Sequence, residues 1–164
     1  MIQTHHSRSS LSCILCNLVL IFCGLYAKMT RSQQGLAGAG EWHMLQPLFP
    51  DLQSKHVLDL GCGYGWHCKY AVDQGAAQVL GIDISHKMLA EAQKRNADPK
   101  IEYHLCGIED YDYPAAVWDC VVSNLALHYI ADLDRVFANV YRTLKTGGTF
   151  LFNIEHPSFT VGVH

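Results

Sequence analysis

The chain has 164 residues, 49% hydrophobic and 16% charged, which is enough for one domain with a proper core and argues against a low-complexity or disordered chain. Twelve Lys and Arg against fifteen Asp and Glu give a net charge of -3 with no basic cluster, so no nucleic-acid partner is expected and a small-molecule one is favoured. Seven cysteines carry no zinc signature, since Cys13-x-x-Cys16 has no second pair; no metal site is expected, and the thiols read as reduced, which favours a cytoplasmic setting.

Leu11 to Ala27, LSCILCNLVLIFCGLYA, is uncharged. It falls short of the roughly 20 apolar residues that cross a bilayer but matches the apolar stretch of a secretory signal, and no convincing cleavage site follows it. Two readings of residues 1–27 stand. They are a signal or an anchor, which makes the protein membrane-associated through Leu11 to Ala27, or they are a helix packed on the domain or a non-native start upstream of Tyr26. Residues 28–164 read as the functional domain.

Gly35 to Gly40 is small and flexible, and Glu41 to Leu48 reads as a helix closed by Pro47 and Pro50. Lys55 to Leu60 is an apolar strand that feeds a loop with glycine at every second position, Gly61-Cys62-Gly63-Tyr64-Gly65. Such a loop lets the backbone turn with positive φ and approach a ligand closely. A helix, Trp66 to Asp73, follows and stops at Gly75. Val79 to Ile82 is the second strand, ending in Asp83, where a nucleotide-binding βαβ unit puts the carboxylate that takes the ribose hydroxyls. Ser85 caps the next helix, whose apolar stripe is Met88, Leu89 and Ala92 and which ends before Pro99.

Ile101 to Cys106 and Trp118 to Ser123 are the third and fourth strands. From Leu133 to Leu144 apolar residues recur at three and four, an amphipathic helix, which Gly147-Gly148 turns into a fifth strand, Thr149 to Ile154. Strand and helix alternating at this spacing imply a doubly wound, mostly parallel Rossmann-like α/β sheet with helices on both faces and the site at the carboxyl ends of the strands.

From about Tyr26 to Pro157 the sequence resembles the class I S-adenosylmethionine-dependent methyltransferases. The matching segments are LDLGCGYG (Leu58 to Gly65), GIDIS (Gly81 to Ser85) with Met88, IED (Ile108 to Asp110), WDCVVSNLALHY (Trp118 to Tyr129) and LKTGGTFLFNIEHP (Leu144 to Pro157). YAKMTRS and GAGEW look like the usual N-terminal approach to the cofactor, and the branch is similar to quinone and biotin-precursor methyltransferases. The resemblance implies S-adenosyl-L-methionine as cofactor and a small-molecule methyl acceptor. It implies that Asp59 and Gly61, with Cys62, hold the methionine end; that Gly63 passes beneath the ligand; and that Asp83 takes the ribose. Ile84 and Met88 would pack on the adenine, Ile108 and Glu109 would address its polar edge, Asn124 and Leu125 would line the sulfonium, and Tyr26, Met29 and Arg31 would close over it. Where many relatives carry an aspartate before Ile108 this chain has Gly107, so Glu109 or a backbone carbonyl would substitute.

His128 and His156 each follow a strand end on the acceptor side, and His128 is the hypothesised polar contact to the acceptor. The family carries two further strands after the fifth. Without them Thr149 to Ile154 would be an exposed apolar edge through which the chain associates with itself, and the chain could bind cofactor without turnover. A nicotinamide-dependent oxidoreductase is the other enzymatic reading, disfavoured because the third glycine of G-x-G-x-x-G is replaced by Trp66.

Overall fold

A computed structural model describes residues 29–155; Leu11 to Ala27, including Tyr26, and His156 lie outside the described residues. The chain divides into two compact units, one ending at Ala39 and the other beginning at Gly40. In the first, α1 (Thr30–Gln34) runs into a 3-10 turn, Gly35–Gly38. Among the described residues no helix is long and apolar enough to cross a membrane.

The second unit opens with α2 (Trp42–Leu45) and a 3-10 turn, Gln46–Leu48. Pro47 has no N–H to donate, so the expected helix from Glu41 to Leu48 becomes two short pieces. Then come β1 (His56–Leu60), α3 (Trp66–Asp73), β2 (Gln78–Asp83), α4 (His86–Arg95), β3 (Ile101–Leu105), β4 (Trp118–Asn124), α5 (Leu133–Thr143) and β5 (Leu144–Asn153). Ser85 caps α4 as expected, its Oγ accepting the Met88 N–H at 3.4 Å.

The strands form one sheet in the order β3-β2-β1-β4-β5, every neighbouring pair parallel. Strands buried on both faces explain the continuous apolar runs in β1, β2 and β4. Their side chains divide by alternation: Val57, Val79, Cys120 and Val122 pack with Cys68 and Ala71 of α3, while Leu58, Leu80, Ile82 and Val121 pack with Val136 and Val140 of α5. The strand order reverses at β1, and the crevice beyond the carboxyl ends of β1 and β4 is where this topology accepts ligands.

The expectation that Gly147-Gly148 makes the turn into the fifth strand is corrected. Leu144 is already extended (φ -71°, ψ 139°), so α5 passes straight into β5. The glycine pair lies inside the strand as a bulge: Trp118 faces Leu144 while Cys120 faces Thr149, and Gly147 takes φ 78° between them. Lys145, in the bulge, donates to Asp119 Oδ2 at 2.8 Å, the same oxygen that accepts the His56 N–H at 2.9 Å. The bulge therefore ties β5 to β4 and β1 at the end of the sheet away from the crevice.

Candidate active site

The loop from β1 into α3 turns on three glycines with φ of 76° (Gly61), 53° (Gly63) and 74° (Gly65). At Gly61 the requirement is double, because a Cβ there would also lie 2.5 Å from Cβ of Ala126, just past β4. The exits of β1 and β4 thus meet at this point. The loop is held from β2: Gly61 and Cys62 each donate an N–H to the Ile82 carbonyl at 2.9 Å. Gly63 N–H donates to Asp83 Oδ2 at 3.0 Å, and Ser85 N–H donates to Oδ1 at 2.8 Å. A carboxylate has about four acceptor sites, so Asp83 keeps capacity for a ligand hydroxyl beside its backbone donors. Burial pushes the Asp83 carboxyl above the usual range, opposed by the backbone N–H groups of Ser85, Gly63 and Ile84.

Asp59 is 1% exposed, and its Oδ2 accepts a hydrogen bond from the Cys68 thiol at 3.3 Å. Among the described residues no ion pair includes it. Burial pushes its carboxyl up to about 7, the Cys68 hydrogen bond opposing and the nearby Asp83 charge adding to the rise. A carboxylate buried without a cation is costly, so this site favours the arrival of one.

On the adenine side of the expected site, Ile84 is 69% exposed at the β2 exit, whereas Met88 is buried. Ile108 is buried too, with its carbonyl taken by the Tyr113 hydroxyl at 2.8 Å, and the Glu109 carbonyl accepts from Arg135 Nη2 at 3.1 Å. Both carbonyls already have a protein donor. Asp110 stands in the gap instead: its Oδ2 lies 2.8 Å from where a Gly107 Cβ would be, beside Ile84 Cγ2 at 3.4 Å from that point.

At the β4 exit, Asn124 donates from Nδ2 to Glu41 Oε1 at 3.1 Å, and its Oδ1 accepts from Asn153 Nδ2 at 2.9 Å. A carboxylate only accepts, so Glu41 fixes which way both amides point. Leu125 follows with φ 55°, its N–H donating to the Asn153 carbonyl at 2.9 Å. His128 lies on the 3-10 turn Leu127–Tyr129, its ring 4.1 Å from that of Tyr129, and its Nδ1 is buried with no hydrogen-bond partner among the described residues.

Asp59, Gly61, Cys62, Gly63, Asp83 and Ile84 therefore gather at the β1 and β2 exits, and Asn124, Leu125 and His128 at the β4 exit, the two groups joined where Gly61 meets Ala126. Arg31 falls in α1, in the other unit. Sequence reasoning missed Cys68, Asp110, Glu41 and Asn153. Asp110, Glu41 and Asn153 lie within the matching segments IED, GAGEW and LKTGGTFLFNIEHP, but their partners are set by the fold, and Cys68 left no signal in the sequence.

Residues 58–152 match the family model for a methyltransferase domain. A malonyl-[acyl-carrier protein] O-methyltransferase of Salmonella typhimurium is 35% identical over 108 residues, 66% of this chain and 42% of its own. The crystal structure of a candidate S-adenosylmethionine-dependent methyltransferase from Listeria monocytogenes superposes with a TM-score of 0.72 at 50% identity, over 74% of this chain and 57% of that one. An S-adenosylmethionine-dependent methyltransferase from Mesorhizobium loti gives 0.72 at 42% identity, over 75% and 56%. The chain spans about half the length of the curated relatives it matches, 57% of one and 42% of another.

Proposed function

The chain belongs to the methyltransferase domain family, and from that membership we propose that it binds S-adenosylmethionine at the glycine loop and passes the methyl group in line to a small-molecule acceptor. The residues suit this cofactor: a buried carboxylate without a cationic partner among the described residues, Asp59, fits an ammonium, and a carboxylate with free lone pairs at the β2 exit, Asp83, fits a ribose. When bound, S-adenosylmethionine supplies an already activated methyl on a sulfonium, so the protein's share of the work is to bring the groups into line, worth on the order of 7 to 11 kcal/mol.

In this reading Asp59 takes the ammonium, while Gly61, Cys62 and Gly63, their N–H groups held by Ile82 and Asp83, shape the loop against which the methionine end lies at the start of α3. Asp83 accepts both ribose hydroxyls, Ile84 covers the adenine with Met88 behind it, and Ile108, Glu109 and Asp110 form the polar edge. Asn124 and Leu125 line the methyl, held by Glu41 and Asn153. His128 offers to the acceptor its Nδ1, which has no partner among the described residues. Tyr26 and Arg31 are assigned to closure over the cofactor on the family resemblance alone. The free thiols of Cys62, Cys68, Cys106 and Cys120 suit a reducing compartment, in support of a cytoplasmic setting.

The observation that carries the proposal is the double clamp on Asp83, which joins the glycine loop to the β2 exit through both carboxylate oxygens. Calorimetric titration with S-adenosylhomocysteine and with NAD tests it. Heat with the first and none with the second is expected, and Asp83→Ala should weaken binding about 10- to 100-fold, the worth of one or two charge-assisted hydrogen bonds. Binding of NAD alone, or an Asp83→Ala protein equal to the parent, overturns it.

A further inference from the structure

Two thiols lie beneath the glycine loop. Cys62 in the loop and Cys68 in the first turns of α3 are both buried, at 6% and 0% exposure. Their sulfurs rest on β2 at Gly81: a Cβ built there would lie 2.9 Å from each Sγ, so the sulfurs are no more than twice that distance apart. Cys68 donates to Asp59 Oδ2 at 3.3 Å, the only side-chain hydrogen bond to that carboxylate among the described residues, which leaves Oδ1 without a protein donor among them. Among the described residues, the remaining titratable groups facing Asp59 are Asp83 from β2, Tyr103 from β3 and Cys120 from β4. None of them is a cation. A thiol is a weak donor, so it orients the carboxylate without neutralising it.

We propose that Cys68 is a positioning residue for the cofactor: its thiol fixes one oxygen of Asp59 so that the other meets the ammonium of the amino-acid end, and the buried carboxyl gives up its proton as that cation binds. The proposal rests on the cofactor assignment above. It follows from the geometry, because a cation placed against Oδ1 supplies the charge that the protein withholds, and the ionised form then becomes the favoured one. The raised position of the Asp59 carboxyl in the free chain, about 7, agrees with a proton available for release near neutral pH.

The test is calorimetric titration with S-adenosylhomocysteine across pH 5.5 to 8, in buffers of different ionisation enthalpy, on the full chain and three variants. The parent should release protons on binding near pH 6.5, and its affinity should fall by up to about tenfold per pH unit below the midpoint. Cys68→Ala should move that midpoint up and weaken binding at pH 7 by on the order of three- to tenfold. Cys68→Ser, with a stronger donor, should move the midpoint down, so it decides the matter if the alanine variant fails to fold. Asp59→Asn should abolish the proton release. If both Cys68 variants keep the parent's midpoint, or if Asp59→Asn releases protons as before, this inference falls while the cofactor assignment stands. If the parent binds neither S-adenosylhomocysteine nor S-adenosylmethionine at any pH, both fall.

Discussion

Asp59 is a carboxyl group at 1% exposure whose ionisation is resisted by burial and by the neighbouring Asp83. Its carboxyl is raised from 3.8 to about 7 on folding. Between those values the folded state holds a proton that the unfolded chain has lost. Folding stability from this group is therefore greatest at low pH and declines as pH rises from about 4 to about 7, where the folded group ionises too. Asp59→Asn cannot ionise and escapes that decline. The ligand-free variant should match the parent near pH 5 and exceed it at pH 8 by about 1 to 3 kcal/mol, less than the full shift because a buried amide needs its own partners. Urea unfolding at the two pH values measures the difference; a gap that fails to widen with pH refutes it. The same substitution should weaken cofactor binding without abolishing it, so the stability lost at this residue is the counterpart of the function proposed for it.

β2 shows what the chain's pattern discloses and what it conceals. Its strand character, its pairing beside β1 and the acidic residue at its exit were legible, because an apolar run between two helices and an Asp at its end have direct physical meaning. That Gly81 is a notch for two sulfurs was not, since spacing says nothing about which side chains the fold brings over a strand. A Cβ at Gly81 would also lie 3.0 Å from Tyr103 Cδ1. Gly81→Ala should cost about 1 to 3 kcal/mol by overpacking. In a Cys68→Ala background one of the two sulfurs is gone, so the cost should be smaller; thermal melts of the four proteins in this cycle test it, and strict additivity refutes the notch. The bulge at Gly147-Gly148 was hidden for a related reason. A glycine pair after an amphipathic helix reads locally as a turn, and only the ladder with β4 reveals that the strand has already begun at Leu144. Likewise Asn124 lies 83 residues from Glu41, a separation that no local pattern bridges.

Among the described residues the sheet has two different edges. β3, at one end, presents Glu102 and His104 with side chains 60% and 57% exposed, charged and polar groups that blunt an edge against pairing. β5, at the other, pairs with β4 on one side only among the described residues, and it carries Phe150 and Phe152 in a ring cluster with Phe137 of α5, centroids 5.0 to 5.9 Å apart. Phe152 is 43% exposed and Tyr141 on α5 is 84% exposed. Joining β3 of one copy to β5 of the next would be heterologous and open-ended, and the charges on β3 oppose it. Two β5 edges meeting antiparallel about a two-fold axis bury the phenylalanines of both and close at a pair. The 164-residue chain should therefore elute at twice its 18.3 kDa mass by light scattering at micromolar concentration. Phe152→Lys, which puts a charge on a partly exposed edge position at the cost of its ring contacts with Phe137 and Phe150, should return it to 18.3 kDa with unchanged circular dichroism. A parent that is already monomeric, or a Phe152→Lys protein that remains paired, excludes β5 as the contact.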